Sequence, residues 1–183
     1  MALTQVKLDA TEARVSGLNL PAGPAWLTDA RKGALGRLRA MGLPGRRDEY
    51  WKYTRPDTLI APEVTPAALF EAEEATVFGE VDRLQIVFVD GVFDAAASDD
   101  LAGEGIEISR LADVDADIHW AHGLYGVLET NGQTPVERPL AALNTAFATD
   151  GVLIRVTGKV SKPVNLTYFH RSETSDAMLH HVV

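Results

Sequence analysis

The stretch from Pro139 to Thr157 constrains the fold most, because one hydrophobic period hands over to another inside it. Leu140, Leu143 and Phe147 recur at helical spacing behind Pro139, a residue suited to a first helical turn. Asp150-Gly151 supplies the stop, and Val152, Ile154 and Val156 then alternate with Leu153, Arg155 and Thr157 as a strand does. A helix ends and a strand begins there.

Upstream, the first twenty-odd residues show no firm pattern and close on the turn-rich Leu20-Pro21-Ala22-Gly23-Pro24. From Pro24 to Met41 the spacing predicts an amphipathic helix. Leu27, Ala30, Ala34, Leu38 and Met41 form its buried stripe, and Arg31, Arg37 and Arg39 fall largely off it. Gly42 and Pro44 end it. Thr65-Pro66 reads as a second helix start, with Leu69 and Phe70 on the buried side. Ile86-Val87-Phe88-Val89 runs into Asp90-Gly91, a strong hairpin signal, and Val92-Phe93 begins the return. Gly105 to Ile108 predicts another short strand, with Ser109 as cap of a helical piece through Leu111 and Val114. Leu124, Val127 and Leu128 are compatible with a short helix. Beyond the junction, Val164 to His170 alternates again and Met178 to Val183 forms a third run, the pattern of a sheet or β-solenoid with an uncovered edge.

Charge narrows the partners. The chain carries −9 overall, which opposes binding to nucleic acid or anionic membrane. Eight Lys or Arg between Arg31 and Arg55 face only Asp48 and Glu49, a local +6 on a remainder of −15. That segment reads as a solvated face with intramolecular pairs, or as a docking surface for an acidic partner. Within it, Tyr50, Trp51 and Tyr53 suit either a structural staple or a partner hot spot. No apolar run approaches the roughly 20 residues of a membrane helix. With no secretory leader pattern, the cytoplasm is the simplest location.

Candidate chemistry is sparse. The absence of cysteine excludes thiolate catalysis, disulfides and cysteine-ligated clusters within these 183 residues. Thr157-Gly158-Lys159 lacks the leading glycine and following hydroxyl of a phosphate loop. His180 and His181 are adjacent and point to opposite faces of a strand. His119 and His122, near Asp115 and Asp117, have spacing that suits either a divalent metal or ordinary packing. His170 is a strand residue of open facing, and Asn165-Leu166-Thr167 is an accidental glycosylation match in a strand. No residue is assigned as catalytic, cofactor-binding or metal-ligating, and no enzyme activity is expected.

Three ordered stretches together resemble one family. They are Gly42-Leu43-Pro44 with Asp48-Glu49-Tyr50-Trp51-Lys52-Tyr53-Thr54, then Val87 to Phe93, then Leu143 to Phe147 with Asp150 to Ile154 and Lys162-Pro163-Val164. The chain is similar to the SufB/SufD proteins of the Suf iron–sulfur cluster assembly system, and to their SufD branch more than to SufB. The resemblance implies an α+β fold. An N-terminal helical and mixed α/β module (residues 1–138) would lead, through the junction helix, into the first strands of a right-handed β-helix (residues 139–183). It further implies a non-enzymatic scaffold working with a SufB-like scaffold and a SufC-like ATPase, the Fe–S cluster residing on the full complex and not on this segment. Family members are longer, so the chain reads as an N-terminal fragment, without the later coils, the helices that dock the ATPase, or the family's cluster-related histidine. Self-association through the open edge is expected. The alternative is a small β-solenoid enzyme or carbohydrate-binding protein, which calls for a strand-borne carboxylate cluster or an aromatic groove.

Overall fold

Helical spacing places the second helix, and the structure sets it at Ala25–Met41, opened by Pro24 and closed at Gly42, whose φ of +66° favours glycine. The computed structural model describes residues 4–69, 77–127 and 137–183. Within them the α-helices are α1 (Gln5–Val15), α2 (Ala25–Met41) and α3 (Pro139–Phe147). The strands are β1 (Leu84–Val89), β2 (Val92–Phe93), β3 (Ala102–Gly103), β4 (Ile106–Arg110), β5 (Val152–Val156) and β6 (Val164–Phe169). One sheet runs β2-β1-β6 and the other β3-β4-β5, so the fold is α+β with two small sheets. Among the described residues no helix is long and apolar enough to cross a membrane.

The Asp90-Gly91 hairpin forms as its sequence requires. β1 and β2 pair antiparallel, Phe88 with Phe93 and Val89 with Val92, and both turn residues have positive φ, +49° and +81°. Those angles match the twist of a two-residue hairpin. β6 lies on the other side of β1 and parallel to it, from Leu84–Val164 to Val89–Phe169. β5 pairs antiparallel with β4 across five residue pairs. Both sheets thus join strands from before and after residue 138.

Beyond β6 the chain returns to the free side of β5 and runs parallel to it. Asp150 bridges Leu179 and Leu153 bridges Val182, so each partner lies 29 residues further along the chain (150 to 179, 153 to 182). β5 is covered on both faces. Val152 and Ile154 pack with Ile86, Phe88 and Ile106 between the sheets, while Leu153 packs with Trp26, Leu27, Leu111, Tyr125 and Val182. A third apolar group joins the helices through Val15, Leu38, Leu43, Leu143 and Phe147.

Several expectations give way. The first residues contain α1, whose inward face is Thr11, Arg14 and Val15, so two polar side chains hide the helical period. Thr11 is buried for a reason: its hydroxyl donates to Lys7 O (2.7 Å) and accepts from Leu43 N (2.9 Å), pinning the exit of α2. Arg31 is not off the buried stripe of α2 but 1% exposed. Residues 64–69 run irregularly with no helix start at Thr65, since Ala67 N donates to Glu173 O (2.8 Å), and Leu69 is exposed; Phe70 lies outside the described residues. Ser109 belongs to β4, opposite Leu153, and caps nothing; a short 3-10 turn at Leu111–Asp113 follows Arg110 instead. The strict alternation expected for β5 fails over Val152, Leu153 and Ile154, all buried, because helices and a second sheet enclose both faces. The short helix compatible with Leu124, Val127 and Leu128 is not among these: after a 3-10 turn at Trp120–Gly123 the chain turns through Leu124, Val127 is helical, and Leu128 lies outside the described residues.

Candidate functional site

The handover from α3 to β5 is held by Arg31, Arg110, Asp150 and His181, which converge on it. Pro139 sits in the first turn of α3, and the helix closes where Ala148 N donates to Asn144 O (2.8 Å). The Ala148 carbonyl is left over, and Arg31 takes it: Nη2 donates at 2.9 Å, while Nη1 donates to Pro21 O (3.0 Å) and Ala22 O (3.1 Å). One buried guanidinium therefore ties the turn before α2 to the end of α3. A planar fork can serve three fixed carbonyls at once, which is why arginine fits here.

Asp150 completes the other side. It is 4% exposed, and its Oδ2 accepts from Arg110 Nη2 (2.5 Å) and Nε (3.1 Å). Oδ1 accepts from the backbone of Gly151 (2.8 Å) and Ala112 (3.1 Å), so both oxygens of the buried carboxylate are satisfied. Gly151 follows because nothing larger fits: a Cβ there would lie 1.9 Å from His180 O. The glycine lets the 178–182 backbone close onto β5. His180 N then donates to Asp150 O (3.0 Å), Val182 N to Val152 O (3.0 Å) and Ile154 N to Val182 O (2.8 Å).

The adjacent histidines point to different neighbours, as strand geometry requires. The His180 ring packs against Tyr125 (4.3 Å between centroids), with Nδ1 3.3 Å from Thr145 Oγ1. His181 Nδ1 accepts from Val152 N (2.9 Å) and Nε2 lies 2.8 Å from Tyr168 Oη. A backbone N–H can only donate, so the neutral ring carries its proton on Nε2 and donates it to the tyrosine. His181 is thus no base toward Tyr168. Burial holds its pKa below the ordinary value, against a smaller opposing pull from Asp150. Burial likewise raises the Tyr168 phenol. A hollow of about 370 Å³ beside this cluster is lined by Arg138, Asn144, Thr145 and His180. Arg31 spends its two Nη atoms on backbone carbonyls, Asp150 is filled by two backbone amides and Arg110, and His181 joins Val152 N to Tyr168, so the cluster acts as a clasp on the α3–β5 junction.

The remaining candidates are also engaged structurally. His119 stacks on Trp26 (5.9 Å, 9° between planes) and accepts from Ala121 N, and the His122 ring lies 5.6 Å from Trp26, so both pack on α2. Asp115 and Asp117 are exposed, and the described residues contain no group of three or more potential metal ligands. Residues 157–162 form the turn between β5 and β6; Thr157 N and Gly158 N donate to Gly105 O, and Lys162 pairs with Asp82 (2.7 Å), which raises its pKa. His170 is exposed at the end of β6, and Asn165 bonds Thr167 within that strand. In the basic segment, Arg39 pairs with Glu12 (2.8 Å) and Lys32 with Asp29 (4.0 Å). The staple reading fails for two of the three aromatics: Tyr50 is 63% and Tyr53 91% exposed, with Trp51 half-buried.

Comparison with known proteins bears on the same stretches. Residues 22–166 match the family model described as the SufBD protein N-terminal region, an interval that contains all three motif stretches. The chain belongs to the SufBD family. Over 77 residues it is 35% identical to the iron-sulfur cluster assembly protein SufD of Escherichia coli strain K12, a match covering 41% of this chain and 18% of that protein. The match therefore spans less than a fifth of the relative's length. Within the SufBD frame, the matched interval takes in α2, β1 to β5, the first half of β6 and the clasp at residues 148–154, while α1 and the 178–182 return lie outside it.

Sequence reasoning missed Arg31, Arg110 and Asp150 as a set. Asp150 was visible only as turn punctuation, and its partner Arg110 lies 40 residues away in sequence. The one available signal was a cation, Arg31, standing at helical spacing among Leu27, Ala34 and Leu38 on an otherwise apolar stripe.

Proposed function

We propose that this chain is the N-terminal part of a SufD-like scaffold that works with a SufB-like scaffold and a SufC-like ATPase in building and transferring iron–sulfur clusters. The observation carrying this reading is the match of residues 22–166 to the SufBD N-terminal region, joined by the 35% identity to a SufD protein. The chain contributes architecture rather than catalysis, consistent with a junction whose polar groups are spent on backbone carbonyls and amides. The cluster belongs to the assembled complex, and the cytoplasm is its place of work.

Residues 139–183 open a right-handed β-helix in this proposal, and residues 1–138 form the adaptor before it. The support is geometric. β5 and the 178–182 segment lie parallel at a constant offset of 29 residues, the relation between successive coils of a solenoid. Parallel crossovers are right-handed in nearly all folds.

Deletion of the gene in its source organism tests the function. Loss of activity of a [4Fe–4S] dehydratase under iron limitation, with its protein level unchanged and restored by the full-length gene, is expected. Undiminished cluster-enzyme activity in the deletion strain would overturn the reading.

A further inference from the structure

The loop that leaves α2 presents a surface the clasp and the cores do not use. Residues 45–55 are tied by successive short-range bonds: Asp48 N to Gly45 O (2.9 Å), Trp51 N to Asp48 O (2.9 Å) and Thr54 N to Trp51 O (3.2 Å). Asp48 is partly exposed, its carboxylate accepting from Gly45 N (2.9 Å) and pairing with Lys7 (2.8 Å). Burial would raise its pKa, but the Lys7 and Gly45 contacts outweigh that and hold it below the usual carboxylate value. Pro56, buried, anchors the far end. The loop is therefore ordered before any partner arrives, which removes part of the entropic cost of binding.

Its outward face is cationic and aromatic. Arg46, Arg47, Lys52 and Arg55 are exposed, and none has an ion pair among the described residues. Tyr50 and Tyr53 stand among them at 63% and 91% exposure, and Lys52 lies over the Tyr53 ring (5.4 Å). Exposed tyrosines with arginines on a rigid loop have the composition of an interface hot spot. The sign of the charge selects the partner. On a chain of net −9, this loop is where carboxylates are attracted, and the acidic body around it repels a long polyanion such as nucleic acid.

We infer that the 45–55 loop docks a carboxylate-rich peptide segment of a partner protein, its acids met by Arg46, Arg47, Lys52 and Arg55 and its apolar side chains by Tyr50 and Tyr53. Arginine takes a carboxylate in a forked, two-bond arrangement that gives register as well as charge. The inference stands on this loop alone and does not depend on the iron–sulfur reading, so either can fail without the other.

Fluorescence anisotropy with the purified chain tests it. The probes are a labelled 14-residue peptide of Glu and Asp with two Leu and one Pro, the same peptide with Gln and Asn for the acids, and a single-stranded 14-mer of dT. The acidic peptide is expected to bind and to weaken several-fold between 50 and 200 mM salt. Arg46→Ala with Arg47→Ala should lose at least about tenfold, and Tyr53→Ala about fivefold or more. These side chains are exposed, so thermal melting of the variants should match the parent, separating lost binding from lost folding. Three results would overturn the proposal: no binding of the acidic peptide at 1 mM and 50 mM salt, equal binding of the amide peptide or by the variants, or dT binding as tightly as the acidic peptide.

Discussion

Replacing Gly151 by alanine is expected to open the return segment from β5. The new Cβ would stand 1.9 Å from His180 O and 2.6 Å from its carbonyl carbon, and both obstacles are backbone. No rotamer relieves that contact, so the 178–182 segment must move. Four backbone bonds link it to residues 149–154, from Thr149 N–Met178 O at 3.1 Å to Ile154 N–Val182 O at 2.8 Å. Asn144 Nδ2 to Leu179 O (2.8 Å) and Val152 N to His181 Nδ1 (2.9 Å) add two more. At a net ~1 kcal/mol each, losing half of these costs about 3 kcal/mol. The residue's φ of +154° adds strain for any side chain. For a chain of this length that corresponds to a fall in Tm of about 6–12 °C. Gly36→Ala is the matched control: it lies within α2 with nothing inside 4 Å of an added Cβ, and should stabilise by about 0.5–1 kcal/mol. Denaturant titration gives the stabilities and hydrogen exchange locates the change, with protection lost at Val182 and Ile154. Gly151→Ala within about 0.5 kcal/mol of the parent, or unchanged exchange at those amides, would refute the close-approach reasoning.

Three further outcomes follow from the clasp and the hairpin. Arg31→Met keeps the volume but strips donors from three carbonyls, of which the Ala148 one is buried, and should cost about 2–3 kcal/mol in chemical denaturation. Because the folded pKa of His181 lies below its unfolded value, the folded state holds fewer protons; its penalty is absent above the unfolded pKa of about 6.5 and grows as pH falls from there toward the folded pKa. His181→Asn retains an acceptor for Val152 N without a titrating ring, so the stability–pH curve of that variant should be flatter below pH 6.5. Asp90 Oδ1 accepts from Arg171 N (3.0 Å) and Ser172 N (3.1 Å); burial would raise its pKa, but those bonds outweigh it and lower the value, so its contribution is present above the ordinary carboxylate pKa and lost as pH drops through the lower folded one. Asp90→Ala should speed exchange at Arg171 and Ser172, whereas Asp90→Asn, which keeps the acceptor and tolerates positive φ, should not.

Legibility followed the kind of side chain doing the work. α2, the hairpin and the junction were readable because apolar period and Asp-Gly punctuation carry them, and local chemistry alone dictates both. α1 was not, because it buries Thr11 and Arg14 rather than an apolar stripe, and a buried polar group looks like a surface one until its partner is known. Arg31 misled for the same reason. The double coverage of β5 was hidden too, since a strand enclosed on both faces loses its alternation. The partners in the clasp are 40 residues apart for Arg110 and Asp150, and 29 for Val152 and His181, separations that no local pattern encodes. The motifs that marked the family were legible as an ordered set, although each alone was slight. The aromatic-basic loop shows the converse: its residues were visible in sequence, but only the structure separated outward Tyr50 and Tyr53 from a staple.

The scaffold assignment is tested most directly by purifying the chromosomally tagged, full-length gene product from its source organism under anaerobic conditions and quantifying what accompanies it. Stoichiometric recovery of a SufB-like and a SufC-like protein is the expected result. Recovery of the gene product free of both, under conditions where those two proteins still copurify with each other, would contradict it.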